Sequence, residues 1–412
     1  MTSLTFLHAA DLHLDSPFKG LAGSVPPCLR ERMKESTFQS FRRIVDLAVK
    51  QQVDFVLLAG DIYDQEAQTL AAQLFMREQL QRLSKAGIAV YMSYGNHDHM
   101  GGKRAAWSVP EHVHVFTEPV VEKKPFFRDG ELLAYIYGFS YPQRAVTVDM
   151  TPQYEAAGDC FHIGMLHGSM EGETEHSLYA PFRLQSLLGK PFDYWALGHI
   201  HKRQLLHAQP PVVYPGNIQG RHRKETGEKG CYVVKLHRGH ADCVFHATAD
   251  VIWEEAVLSI EGMETVDGLL ELCRQTMEQK RRGREGVLLR LILGGAGPMA
   301  ELMADERQRE DLLAALQAEE EREDFVYVTQ LDNRTAPSVS PEELRQHPFF
   351  SLLLEEAGQR SAVQAAVQPL WSGAVARQLL VPFTEEEEEE IAGSAERLLL
   401  QLLAGGGGTG EA

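Results

Sequence analysis

With 412 residues, 44% of them hydrophobic, the chain has core material for one large α/β domain and one or two smaller units. Its five scattered cysteines form no C-x-x-C pair, its N-terminus lacks a basic segment leading into an apolar run, and no stretch approaches the ~18 apolar residues of a membrane helix, so a cytoplasmic protein away from the membrane is expected. The formal net charge of −18 speaks against bulk capture of nucleic acid, although residues 1–250 are nearly balanced, with 26 basic and 27 acidic side chains, and the excess lies in residues 251–412, with 14 and 31.

In chain order, apolar runs of strand length at 4–9, 53–59 and 88–94 alternate with helix-like stretches at 28–51 and 66–86. Further runs follow at 132–139, 161–166 and 193–198. The alternation predicts βαβ units and a mainly parallel sheet covered on both faces. From Leu205 the pattern turns all-β, with short runs at 203–207, 212–214, 230–237 and 243–248 expected to form a second half-sheet. Strands at 251–259 and 286–293 flank a helix at 264–281; a Gly-rich turn at 294–298, a helix to about 320 and a strand at 324–332 complete a compact α+β unit. A linker is expected at 335–341. The tail reads as helical: Ser340-Pro341-Glu342-Glu343 and Thr384 with Glu387 are capping boxes, Leu398 to Leu403 form an apolar cluster, and Gly405 to Gly408 should be disordered. The domains are therefore 1–250, 251–334 and 335–412.

Five short motifs stand at or beyond the ends of these runs. They are Asp11-Leu12-His13, Gly60-Asp61-Ile62-Tyr63-Asp64, Gly95-Asn96-His97-Asp98, Leu166-His167-Gly168 and Gly198-His199-Ile200-His201. A lone histidine is more often a structural residue than a ligand, but ligands of open α/β sheets gather at the carboxyl ends of strands, where all five fall. Two divalent cations about 3.5–4 Å apart can clamp the attacking and leaving oxygens of a displacement at phosphorus. Such a pair needs one carboxylate that touches both ions and neutral donors around each. Two Asp, one Asn and four His without Cys suit Mn2+, Fe2+ or Zn2+ better than Mg2+ or Ca2+. His199 and His201 point to one side only on an extended segment, since on a helix they would diverge by roughly 200°. The glycines before Asp61, Asn96 and His199 are read as tight turns.

The order of motifs resembles the calcineurin-like metallophosphoesterase superfamily over about residues 1–250. The opening from Phe6 to Phe18 and the segment Tyr214 to Arg221 are similar to the SbcD-type DNA repair exonucleases, most of all to their YhaO-like branch. The resemblance implies a four-layer α/β/β/α sandwich, a small α+β capping domain and a helical C-terminal tail that either docks on an ATPase or packs on the body of its own chain. It implies one metal on Asp11, His13, Asp61 and His201, and a second on Asp61, Asn96, His167 and His199, with Asp61 bridging and Mn2+ favoured over Fe2+ or Zn2+. His97, left over beside a ligand, is assigned as general acid. Asp64 and Asp98 are expected to orient histidine rings, and His8 and His99 to be structural or at the rim.

The implied function is a two-metal phosphodiesterase acting on DNA, a 3′-to-5′ exonuclease working with an SbcC-like or YhaN-like ATPase subunit; a homodimer stays open. Arg221, Arg223 and Lys224, with the runs at 202–203 and 280–284, are the local basic exceptions, and the first three are expected to contact DNA phosphates. Two rivals remain: a phosphoesterase of small molecules or phosphoproteins, and a non-catalytic scaffold. The added unit at 251–333 disfavours the first, and the full ligand set disfavours the second.

Overall fold

The computed structural model describes residues 3–18, 25–64, 68–102, 109–172, 179–318, 320 and 322–336, with short stretches between 346 and 395. Two compact units are present: residues 1–254 with 282–288 and 321–325, and residues 255–281, 289–320 and 326–412.

The first unit contains two six-stranded mixed sheets. In the first sheet, β1 (Leu4–Ala9), β2 (Phe55–Ala59), β3 (Ala89–Ser93) and β4 (Val113–Val115) run parallel. Helices α1 (Pro27–Gln51) and α2 (Leu70–Lys85) connect the first three. α1 begins with Pro27 in its first turn, where the missing N–H costs nothing, and α2 is capped by the Thr69 hydroxyl accepting from Ala72 N. The second sheet holds β5 (Glu122–Arg128), β6 (Glu131–Gly138), β7 (Phe161–His167), β8 (Tyr194–Gly198), β10 (Pro211–Tyr214) and β9 (Gln204–Ala208), in that order. β6, β7, β8 and β10 are parallel.

Successive residues of each inner strand serve different layers. Phe6, Phe55, Leu57 and Tyr91 of one sheet share a core with Ile136, Phe161, Ile163 and Tyr194 of the other. Phe6 stacks on Phe55 and meets Tyr194 edge-on, both at 5.1 Å. Leu7, Val56, Leu58 and Val90 instead pack with Phe41, Ile44, Met76 and Leu80 of the helices. Leu166, Trp195 and Leu197 face the other outer layer with Phe182, Leu187 and Phe192. This is the four-layer sandwich. Burial on both faces removes the polar alternation of a half-exposed strand, because each buried Leu or Phe contributes about 1.5–3 kcal/mol.

The sheets divide the strands differently from the expectation. The runs at 132–139, 161–166 and 193–198 do not extend the first sheet but build the second, joined by β9 and β10. β11 (Gly230–His237) and β12 (His240–Ala247) return to the first sheet, where β11 lies antiparallel to β1. A run buried on both faces carries no mark of the sheet it enters; the crossover decides.

The later segment forms a three-stranded sheet of β13 (Val251–Ser259), β14 (Gly286–Ala296) and β15 (Val326–Ala336), with helices α4 (Val266–Lys280), α5 (Met299–Ala304) and α6 (Glu306–Gln317), α3 being Leu184–Leu188 of the first unit. β14 runs through part of the expected 294–298 turn, and β15 takes in residues 335 and 336, assigned above to a linker. In the tail, α7 spans Pro348–Ala357 and α8 spans Arg360–Val367. The Thr384 box forms: Thr384 N donates to Glu387 Oε2 at 2.8 Å and Glu387 N to Thr384 Oγ1 at 3.3 Å. Ser340 to Glu343, Leu398 to Leu403 and Gly405 to Gly408 lie outside the described residues. Among the described residues no helix is long and apolar enough to cross a membrane.

Candidate metal centre

All five motifs converge at adjacent strand ends. The loop after β1 is zipped to the loop after β2 by Asp11 N to Gly60 O (3.2 Å), His13 N to Asp61 O (3.0 Å) and Leu14 N to Ile62 O (3.0 Å). Asp11, His13, Asp61 and His199 all adopt left-handed backbone, with φ of 52°, 44°, 49° and 97°. Such conformations cost non-glycine residues about 1–3 kcal/mol each and cluster where a site over-determines them. Only Gly60 among the three motif glycines meets the tight-turn expectation, with φ of 84°. Gly95 and Gly198 serve close approach instead. A Cβ at Gly95 would stand 2.3 Å from Asp61 Oδ1 and 2.6 Å from His167 Nε2; one at Gly198 would stand 2.0 Å from Ala59 O.

The side chains gather into overlapping groups whose donor atoms lie within 4.8 Å: Asp11, His13 and His201; His13, Asp61 and His97; Asp61, His167 and His199. His13 Nε2 and His201 Nε2 face each other at 3.1 Å. Asn96 Oδ1 is 3.1 Å from both His167 Nε2 and His199 Nδ1. Between the groups lies Asp61 Oδ2, 3.7 Å from His13 Nε2 and 3.5 Å from His167 Nε2. This oxygen is buried and has no hydrogen-bond partner. A buried carboxylate oxygen without a hydrogen bond is costly unless a cation shares it, so the donor set fits divalent metal ions.

Surrounding groups aim these donors. Asp11 accepts from His199 N at 3.0 and 3.1 Å. His167 Nδ1 donates to Ala59 O at 3.0 Å, which directs its Nε2 inward. Burial opposes a charge on His167, but Asp61 and Asp11 beside it prevail and raise its pKa to about 9. Asp64 Oδ1 is 3.2 Å from His13 Nδ1. Burial, followed by the Arg221 charge, takes His13 down to about 3. Asp98 accepts from Gly95 N (2.8 Å), Ile62 N (2.8 Å) and Tyr63 N (3.2 Å), fastening the backbones of two motifs together. Burial and then Asp61 raise Asp98 to about 7. His97 is the accessible member: 37% of its side chain is exposed, its N–H donates to Asp61 Oδ1 at 2.9 Å, and its Nδ1 donates to Asp64 O at 2.9 Å. His8 is structural, buried between Tyr194 Oη (3.0 Å) and Leu197 O (3.2 Å), and burial lowers its pKa to about 3. His99 is buried as well.

The loop after Gly220 departs from the expectation at two residues. Arg221 is not a rim cation: it is 7% exposed, with its guanidinium on Asp64 and on Ser16 Oγ. Arg223 and Lys224 are exposed. Glu225, which the sequence did not single out, is 6% exposed with Oε1 2.6 Å from His201 Nδ1. Although burial opposes it, the hydrogen bond from His201 holds the Glu225 carboxyl below its usual range. Its only sequence signal is a position soon after the last motif, in a charged stretch that resembles a solvated loop.

The chain matches a family model described as calcineurin-like phosphoesterase over residues 4–203, and one described as the middle domain of metallophosphoesterase YhaO over residues 253–336. It is 44% identical over 359 residues to the uncharacterized metallophosphoesterase YhaO of Bacillus subtilis (strain 168), covering 86% of this chain and 87% of that one. It is 24% identical over 324 residues to the DNA double-strand break repair protein Mre11 of Saccharolobus solfataricus, covering 74% and 77% of the two chains. The protein of the same name from Aeropyrum pernix is 27% identical over 231 residues, or 51% and 52%.

Proposed function

Since this chain belongs to the calcineurin-like metallophosphoesterase family, we propose that it is a two-metal DNA phosphodiesterase: a 3′-to-5′ exonuclease of DNA repair that works in the cytoplasm with an SbcC-like or YhaN-like ATPase. The observation that carries the two-metal reading is the buried Asp61 Oδ2, which has no hydrogen bond and lies between two groups of imidazole donors at 3.5 and 3.7 Å. The DNA double-strand break repair protein similar over 74% of this chain supports DNA as substrate.

Asp11, His13, Asp61 and His201 would hold one ion, and Asp61, Asn96, His167 and His199 the other. When bound, two divalent cations supply Lewis-acid charge to a phosphodiester oxygen. The protein's own part is orientation and proton transfer. His97 spends Nδ1 on the Asp64 carbonyl, so Nε2 is the nitrogen that gives a proton to the leaving oxygen, a contribution worth about 10²–10⁴ in rate. The strand would lie along a domain of almost balanced charge, with Arg223 and Lys224 on its surface as phosphate contacts.

The acidic balance of residues 251–412 favours a second reading, a small-molecule or phosphoprotein substrate. A labelled duplex incubated with the chelated and then metal-restored enzyme decides between them. Stepwise release of nucleotides from 3′ ends is expected, with Mn2+ restoring more activity than equal Mg2+, because imidazole donors favour later divalent metals. Hydrolysis of bis(p-nitrophenyl) phosphate with no cleavage of any DNA would establish the second reading.

A further inference from the structure

Residues between Gly220 and Gly230 form a clasp that holds one histidine of an ion's ligand group, His201, directly through Glu225 and reaches the other, His13, only by way of Asp64. His201 Nδ1 donates to Glu225 Oε1 at 2.6 Å, whereas His13 Nδ1 lies 3.2 Å from Asp64 Oδ1 at ion-pair distance but outside hydrogen-bond geometry. Arg221 joins the two carboxylates: its guanidinium bonds Asp64, while its backbone N–H donates to Glu225 Oε2 at 2.7 Å. Ser16 Oγ accepts from the same guanidinium at 2.9 Å, and Lys229 Nζ donates to His201 O at 3.1 Å. Glu225, Arg221, Ser16 and Lys229 are all under 9% exposed, so this is a built network and not a chance surface pairing.

We infer that Glu225 and Arg221 are positioning residues for the ion held by His13 and His201, and that the other ion does not depend on them. An imidazole that donates Nδ1–H to a carboxylate is fixed in the tautomer whose Nε2 lone pair is free, and such partners are worth about 10–100-fold in metal affinity. The Nε2 atoms of His13 and His201 converge at 3.1 Å, which requires both rings to hold that tautomer when they bind. Without Glu225, His201 loses its anchor and Arg221 loses the contact that ties it to the loop. His167 takes its orientation from the Ala59 carbonyl, and Asn96 Oδ1 lies against both His167 and His199, so no side chain of the clasp is used there.

This inference rests on the two-metal reading, and Mn2+ titration of the full chain by calorimetry, with electron paramagnetic resonance of the loaded protein, separates the two. Wild type should bind two Mn2+ with an exchange-coupled spectrum; one site only, or none, overturns the two-metal reading itself. Glu225→Gln should bind one Mn2+ at wild-type affinity and the second about 10–100-fold more weakly, giving a mononuclear spectrum at one equivalent. Its melting temperature in chelator should stay at the wild-type value. Two unchanged sites, or equal weakening of both, would overturn the clasp while leaving the two-metal reading intact. Should Glu225→Gln lose its fold in chelator, the same titration is made on Arg221→Lys, which keeps the charge and the backbone N–H but loses the guanidinium that bonds Asp64 and Ser16. The same selective loss is expected there, and two unchanged or equally weakened sites would again overturn the clasp.

Discussion

His167 is the last residue of a strand buried on both faces, and its ring is aimed by the Ala59 carbonyl at the end of β2 in the other sheet. His201 lies three residues beyond β8, and its ring is aimed by the carboxylate of Glu225, itself fixed by the backbone of Arg221. One of these two histidines is thus oriented by main chain and the other by a side chain. A carbonyl in a strand cannot be deleted by point mutation, whereas a carboxylate can, so the half of the centre that holds the second should be the more mutable. The strand half carries a different vulnerability: Gly95 admits no Cβ because the Asp61 and His167 side chains fill the space, and Gly198 none because the Ala59 carbonyl does.

Asp61 belongs to both halves, and its removal should erase the distinction. Asp61→Ala should lower hydrolysis of bis(p-nitrophenyl) phosphate at saturating Mn2+ by at least about 10³, since several kcal/mol of transition-state stabilisation are lost with the ions. Metal analysis of the same protein should find neither ion tightly held. A variant retaining a tenth of wild-type rate would exclude Asp61 as the bridge.

His97 stands beside His13 and Asp61 and should behave differently from the candidate ligands. His97→Ala should keep two Mn2+ per chain while kcat falls by about 10²–10⁴, the range for a positioned acid. The group of His13, Asp61 and His97 donors within 4.8 Å makes metal content the decisive measurement. Loss of an ion on substitution would turn His97 from acid into ligand.

The same division runs through what could be read from the sequence. The convergence of the five motifs and the strand ends were legible because two-metal chemistry asks for these residue types at short spacings, and apolar runs fix where strands lie. The allocation of β6, β7 and β8 to a second sheet was not legible, since strands buried on both faces look alike in either sheet. The clasp was hidden for a related reason. Arg221 and Glu225 sit in a stretch whose charges look solvated, and only the fold buries them against Asp64 and His201. Nor does any residue type announce the left-handed backbone of Asp11, His13, Asp61 and His199, which depends on the loops bonded around them.

The smallest expected effect separates surface from clasp within one short segment. Arg223 and Lys224 are exposed, whereas Arg221 is buried on Asp64. Replacing Arg223 and Lys224 with Ala should leave hydrolysis of the chromogenic diester unchanged, because that substrate needs only the centre and His97. On DNA the pair should flatten the dependence of log binding on log salt by up to ~0.9 for each lost phosphate contact, or ~0.7 if the strand is single. Arg221→Ala should instead lower both activities together, because removing it strips Asp64 of a charge partner and so loosens His13. Binding and hydrolysis measured on both substrates across a salt series test the contrast. An Arg221→Ala enzyme impaired on DNA alone would return Arg221 to the strand-binding surface, and with it the view that this loop serves substrate and not metal.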